Sequence, residues 1–139
     1  MHDFHYGSLF AQPGTIAVVG LSEDPARPSY DVAQAMQRAG FRIIPVNPRA
    51  AGRPILGEPC LAALSEITVP VNIVNCFRRS EDMVEVARAT VAMSHRPDLL
   101  WMQIGVVNDE AAQIARDAGI AVVQNRCIKV DYRVWKTAN

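Results

Sequence analysis

The chain has 139 residues, half of them hydrophobic, with 14 basic and 14 acidic side chains and a formal net charge of zero. That length suits one domain with a real core and is too short for two. No apolar run of 18 residues is present to span a bilayer, and Met1 to Gly7 lack the basic and apolar regions of a signal peptide. Neutral charge, with no room for a separate helix-turn-helix, argues against nucleic acid as a partner. Cys60, Cys76 and Cys127 show neither paired spacing nor a nearby histidine cluster. They read as reduced thiols of a cytoplasmic protein, with no metal site.

Residues 1–13 form a lead-in with a short helical turn, closed by Pro13-Gly14. Ile16 to Val19 read as a buried parallel strand ending at Gly20. A polar loop follows, and Ser29 is placed as the N-cap of an amphipathic helix carrying Val32, Ala35, Met36 and Ala39 on one face. Gly40 stops that helix. The second strand covers 41–47, and 48–59 is a Gly/Pro-rich loop too irregular for an element. A short helix or turn at 61–67 precedes the third strand at 71–77.

Ser80, with Glu81 and Asp82 behind it, is expected to cap a helix running to about Met93. The fourth strand is 99–103, Asn108 caps the next helix, and Gly119 ends it. A fifth strand at 120–124 and a helical tail from Arg126 to Trp135 complete the chain. Strands alternate with helices throughout. The expected architecture is therefore a single doubly wound α/β domain, a five-stranded parallel sheet with helices on both faces.

Ligands of such sheets bind outside the carboxyl ends of the strands, near the switch in strand order. Strand, glycine turn and helix N-terminus, as in 15–30, make a phosphate-binding geometry of free N–H groups and helix dipole. Twelve of the 14 basic residues are arginine, and Arg27, Arg49, Arg53, Arg78 and Arg79 fall in loops at that edge. Guanidinium groups suit bidentate contact with phosphate, so the cluster points to a multiply charged anion. Gln103 adds a neutral hydrogen-bonding group at the end of the fourth strand. NAD fits poorly. The G-x-G-x-x-G fingerprint would need glycine where Ser22 and Pro25 stand, and no acidic residue closes the second strand, where the chain reads Val46-Asn47-Pro48. No P-loop motif occurs either.

Gly20-Leu-Ser22, Arg27-Pro-Ser-Tyr30, Pro45-Val-Asn-Pro48, Phe77-Arg-Arg-Ser80, Trp101-Met-Gln-Ile-Gly-Val-Val107 and Cys127-Ile-Lys129 together resemble the bacterial and archaeal single-domain CoA-binding protein family. That family is similar to the CoA-binding domain of the succinyl-CoA synthetase α subunit. The resemblance covers about residues 8–135. It implies a Rossmann-like, nucleotide-binding fold of strand order 3-2-1-4-5, with CoA or acyl-CoA across the edge just described. Gly20, Leu21 and Ser22 would lie against the pyrophosphate with Arg27 and Ser29 nearby. Val46, Asn47 and Pro48 would border the adenosine, and Phe77, Arg78 and Arg79 the nucleotide. Met102, Gln103 and Gly105 would approach the pantetheine arm.

The synthetase also uses a phosphorylated histidine on a second domain, for which this chain has no matching segment. His2 and His5 belong to the lead-in and His95 follows a helix, so ligase chemistry is not expected. A catalytic reading would need a thiol, Cys76 or Cys127, acting on a thioester, and only Asp131 is placed to share a helical face with Cys127. Buried cysteine as a small hydrophobe is the commoner case. The expectation is a CoA-binding module without chemistry of its own, serving as sensor, carrier or partner subunit, alone, with a protein partner or as a homo-oligomer. The alternative is a small acyl-CoA enzyme using a cysteine thiol.

Overall fold

Consecutive residues of a strand point to opposite faces of its sheet, so a strand that is apolar throughout must be covered on both. In the computed structural model, which describes residues 6–139, β1 (Thr15–Val19) shows this division. Ile16 and Val18 enter one core, Ala17 and Val19 the other. The same split recurs in β2 (Arg42–Val46), where Ile43 and Ile44 face opposite ways. The short lead-in helix α1 (Gly7–Ala11) and helix α2 (Pro28–Arg38) cover the Ile16 face through Phe10, Val32, Ala33 and Met36. His2 and His5 lie outside the described residues.

After β2 the chain does not wander as an irregular loop. A 3-10 turn at Pro48–Ala50 leads to a two-residue hairpin, β3 (Pro54–Ile55) and β4 (Glu58–Pro59). Leu56 and Gly57 make its turn with φ of 52° and 87°, the left-handed values that a tight hairpin needs. Leucine is a poor residue for that conformation, which hid the hairpin from the sequence reading. The segment then meets the outer edge of β2 in a single parallel bridge, Leu61 beside Val46. The Leu61 amide donates to the Pro45 carbonyl at 2.9 Å, and the Asn47 amide to the Leu61 carbonyl at 2.8 Å. A 3-10 turn, Leu64–Glu66, stands where a short helix or turn was expected.

That return segment corrects the strand order. The third sheet strand, β5 (Ile73–Cys76), does not lie outside β2, as order 3-2-1-4-5 requires. It pairs with the other side of β1, Ile16 opposite Ile73 and Val19 opposite Cys76, all parallel. Leu61 already takes up hydrogen-bonding groups on the outer edge of β2. Asn72 meanwhile anchors the new strand beside β1, its amide donating to the Thr15 carbonyl and its Oδ1 accepting from the Thr15 amide, both at 2.9 Å. With β6 (Leu99–Met102) and β7 (Ala121–Val123) the sheet reads β2-β1-β5-β6-β7. It is five-stranded, parallel and doubly wound, with its five strands in the order 2-1-3-4-5.

Helices α3 (Met83–Val91) and α4 (Asp109–Asp117) cover the Ala17 face. Helix α5 (Ile128–Ala138) joins α1 and α2 on the other. Two caps differ from expectation. Pro28 opens α2 at its first turn, where its missing N–H costs nothing, so Ser29 sits inside the helix. Ser80 begins a 3-10 turn, Ser80–Asp82, and its hydroxyl reaches the loop after β6, donating to the Gly105 carbonyl and accepting from the Val107 amide. Asn108 does cap α4, accepting from the Ala111 amide at 2.9 Å. Among the described residues, no helix is long and apolar enough to cross a membrane.

Candidate functional site

The order 2-1-3-4-5 puts the topological switch between β1 and β5, so their loops part around a crevice at the carboxyl edge. Gly20 closes β1 at φ +87°, and a Cβ there would stand 2.8 Å from the Phe77 carbonyl oxygen. Glycine is therefore demanded twice, by the backbone angle and by the approach of the neighbouring loop. Its amide donates to the Val46 carbonyl at 2.8 Å. The turn after it is held by side chains. Ser29 Oγ accepts from the Ser22 amide at 3.0 Å, and Asn47 Nδ2 donates to the Leu21 carbonyl at 3.0 Å. Among the described residues, the amides of Leu21, Glu23 and Ser29 make no hydrogen bond.

Two adjoining open hollows, each of about 480 Å³, lie over this turn. Gly20, Asn47, Arg49 and Phe77 line both. One continues past Ser22, Glu23, Arg27, Pro28, Ser29, Ala50 and Arg53. The other continues past Pro48, Arg78, Arg79 and Asp82. The five arginines expected at the edge all come together here. Leu21 and Val46 are buried beneath the floor and contribute backbone at most.

Sequence reasoning missed the carboxylates that accompany these arginines. Arg53 pairs with Glu23 at 2.7 Å, Arg78 and Arg79 with Asp82 at 3.2 and 3.3 Å, and Arg27 with Asp24 at 3.9 Å. The two guanidinium groups hold the Asp82 carboxyl below the usual carboxylate range. Glu23 and Asp24 follow the glycine turn and Asp82 lies three residues past Arg79, so local spacing carried a signal for these pairs. Arg49 differs. Among the described residues no carboxylate lies within 4.0 Å of its guanidinium, which makes it the uncompensated cation of the crevice.

Met102, Gln103 and Gly105 line neither hollow. The corrected order explains it, because β5 is interposed between β1 and β6. Met102 is fully buried, and Gly105 is exposed with its amide held by Asn125 Oδ1 at 2.8 Å. Gln103 is 5% exposed, its Oε1 accepting from the Ile128 amide at 2.9 Å and from Asn75 Nδ2 at 3.2 Å.

Among the described residues, no thiol hydrogen-bonds to a histidine or a carboxylate. Cys76 is buried in β5 and burial pushes its thiol far above the ordinary range. Cys60 is also buried and also raised. Cys127 is half-buried before α5. Asp131, its candidate base, is itself buried and committed to other partners. It accepts from Arg126 at 2.7 and 3.1 Å and from the Tyr6 hydroxyl at 2.6 Å. Among the described residues, no group of three His, Cys, Asp or Glu side chains stands close enough to hold a metal ion.

Comparison with known proteins agrees with this architecture. The chain is 45% identical over 121 residues to the uncharacterized protein YneT of Bacillus subtilis (strain 168), covering 87% of each. Its fold matches the solved structure of cell-free ID.343 from Thermus thermophilus with a TM-score of 0.87 and 34% identity, over 92% of this chain and 94% of that one. The dinucleotide forming acetyl-coenzyme A synthetase 1 of Ca. Korarchaeum cryptofilum, apo form, shares the fold alone, with a TM-score of 0.67 and 20% identity over 87% of this chain and 28% of that one. Residues 14–133, nearly the whole of the sheet and its covering helices, match the CoA binding domain family. The chain belongs to that CoA-binding family.

Proposed function

We propose that this protein binds CoA or an acyl-CoA as a module without chemistry of its own, with the ligand's nucleotide in the paired hollows. The observation that carries the reading is the glycine turn, where three backbone amides lack partners among the described residues beside the N-terminus of α2. Such a turn stabilises a diphosphate through its N–H groups and the helix dipole. In this reading Gly20, Leu21 and Ser22 meet the pyrophosphate, with Ser29 fixing the loop and Arg27 adding charge. Asn47, Pro48 and Phe77 border the adenosine, and Val46 supports them from below. Arg49, Arg78 and Arg79 face the ribose phosphate, and Arg49 leads because no ion pair must be surrendered first.

Two observations support a binding role over catalysis. The buried Cys76 thiol stays protonated, and Asp131 is spent on Arg126 and Tyr6. A sensor, carrier or partner subunit needs only the site, and one domain of about residues 8–135 contains it. Three free cysteines suit a reducing cytoplasm. Native mass spectrometry of the purified protein tests the ligand directly. A co-purifying mass of CoA or an acyl-CoA, or saturable binding of added CoA, is expected. A nucleotide lacking the pantetheine arm in its place, or no binding of CoA, would sink the reading.

A further inference from the structure

The other ion pairs of the crevice are local. Asp24 meets Arg27, and Asp82 meets Arg78 and Arg79, within three or four residues of one turn. The pair between Glu23 and Arg53 joins the loop after β1 to the loop after β2 across 30 residues of sequence. Both side chains line the same hollow and both are about half exposed. Glu23 Oε2 accepts from Arg53 Nε at 2.7 Å, and among the described residues its carboxylate has no second partner. Arg53 is held twice, because its Nη2 also donates to the Arg49 carbonyl at 2.7 Å. That second bond keeps the guanidinium at the hollow when the carboxylate turns away. Glu23 also carries one of the unpartnered amides of the glycine turn. One residue thus offers an anion its N–H and sets a negative charge beside it, and like charges that close repel.

We infer that the Glu23 carboxylate is a place-holder for a ligand phosphate: it occupies Arg53 in the free protein, and a phosphate entering the hollow displaces it and takes the guanidinium over. This rests on the CoA reading, which makes the incoming group the diphosphate of CoA. The exchange runs toward the ligand for two reasons. A diphosphate meets the turn amides and Arg27 together with Arg53, each through charge-assisted hydrogen bonds. The carboxylate it displaces returns to water at little cost, since exposed ion pairs are weak. The contact is therefore autoinhibitory and selective. A ligand that offers only a carboxylate gains no more from Arg53 than Glu23 already does, whereas a diphosphate gains the amides as well.

A double-mutant cycle read by titration calorimetry at low salt tests the exchange, with Glu23→Gln, Arg53→Ala and the two combined. Both side chains are exposed, so neither substitution opens the core. Wild-type protein should bind CoA, and Glu23→Gln should bind it about two- to fivefold more tightly, the weight of one exposed ion pair. Arg53→Ala should cost about two- to fivefold more in the Glu23→Gln background than in the wild type, because there no pair has to break. Dephospho-CoA keeps the diphosphate and should gain from Glu23→Gln by the same factor as CoA. Equal Arg53→Ala losses in the two backgrounds would mean that the pair survives in the complex and would overturn the inference. Unchanged or weaker CoA binding by Glu23→Gln overturns it too, as does a gain confined to CoA, which would give Arg53 to the ribose phosphate. Those three results leave the CoA reading standing. Failure of wild-type protein to bind CoA overturns that reading, and this inference with it.

Discussion

Replacing Arg49 with alanine removes one exposed cation and little else. Its neighbour Arg53 is tied to Glu23 at 2.7 Å and to the Arg49 carbonyl at 2.7 Å, whereas the Arg49 side chain has no carboxylate to leave among the described residues. A charge-assisted hydrogen bond to phosphate contributes about 1.5–3 kcal/mol when shielded from water. At this open hollow, solvent reduces it to about 1–2 kcal/mol. Arg49→Ala should therefore weaken CoA binding roughly five- to thirtyfold and leave dephospho-CoA, which lacks the ribose phosphate, nearly unaffected. For Arg53 the gain must exceed the lost pair with Glu23, about 0.2–1 kcal/mol, so Arg53→Ala should cost less. Calorimetric titration of both ligands against wild type and both variants reads this directly. The CoA-specific gap should shrink as salt rises, since exposed charges are screened. Equal loss for CoA and dephospho-CoA would move Arg49 from the ribose phosphate to the pyrophosphate. No loss for either would remove it from the site.

Three further outcomes follow from the geometry. Gly20→Ala combines a left-handed φ with a Cβ 2.8 Å from the Phe77 carbonyl, and should destabilise the fold by about 2–4 kcal/mol in urea denaturation; a loss under about 0.5 kcal/mol would mean that the two loops yield freely. With a disulfide reagent that reads free thiols, Cys127 should react first and Cys76 only on unfolding, and no steady thiol release from acetyl-CoA or succinyl-CoA is expected; turnover abolished by Cys127→Ala would favour the acyl-CoA enzyme. Burial, then the hydrogen bond to Asp131, pushes the Tyr6 hydroxyl up to about 12 from an ordinary 10. A group whose folded pKa is raised stabilises fully below its unfolded value, so this contribution, about 1–2 kcal/mol once its partial exposure is allowed for, should fade between about pH 10 and 12. Tyr6→Phe should flatten that part of the stability profile, and an unchanged slope would refute the assignment.

Much of the fold was legible because it is written in local patterns. Strands apolar on both faces, separated by helices ending at Gly40 and Gly119, leave a parallel doubly wound sheet as the natural arrangement. The glycine turn and the five arginines were likewise visible, since each is set by a few neighbouring residues. Strand order was not. It depends on whether the edge of β2 is free, and Leu61 closes it through two hydrogen bonds to residues 14 and 16 positions earlier in the chain. From that one long-range choice come the position of the crevice, the displacement of Gln103 from it and the insertion of Asn75 between them. Whether an arginine is available to a ligand was also a tertiary matter. Arg53 meets Glu23 across 30 residues of sequence, while Arg49, four residues before it, meets no carboxylate among the described residues. Composition and spacing select the kind of ligand, and the packing of distant segments decides which side chains are left to hold it.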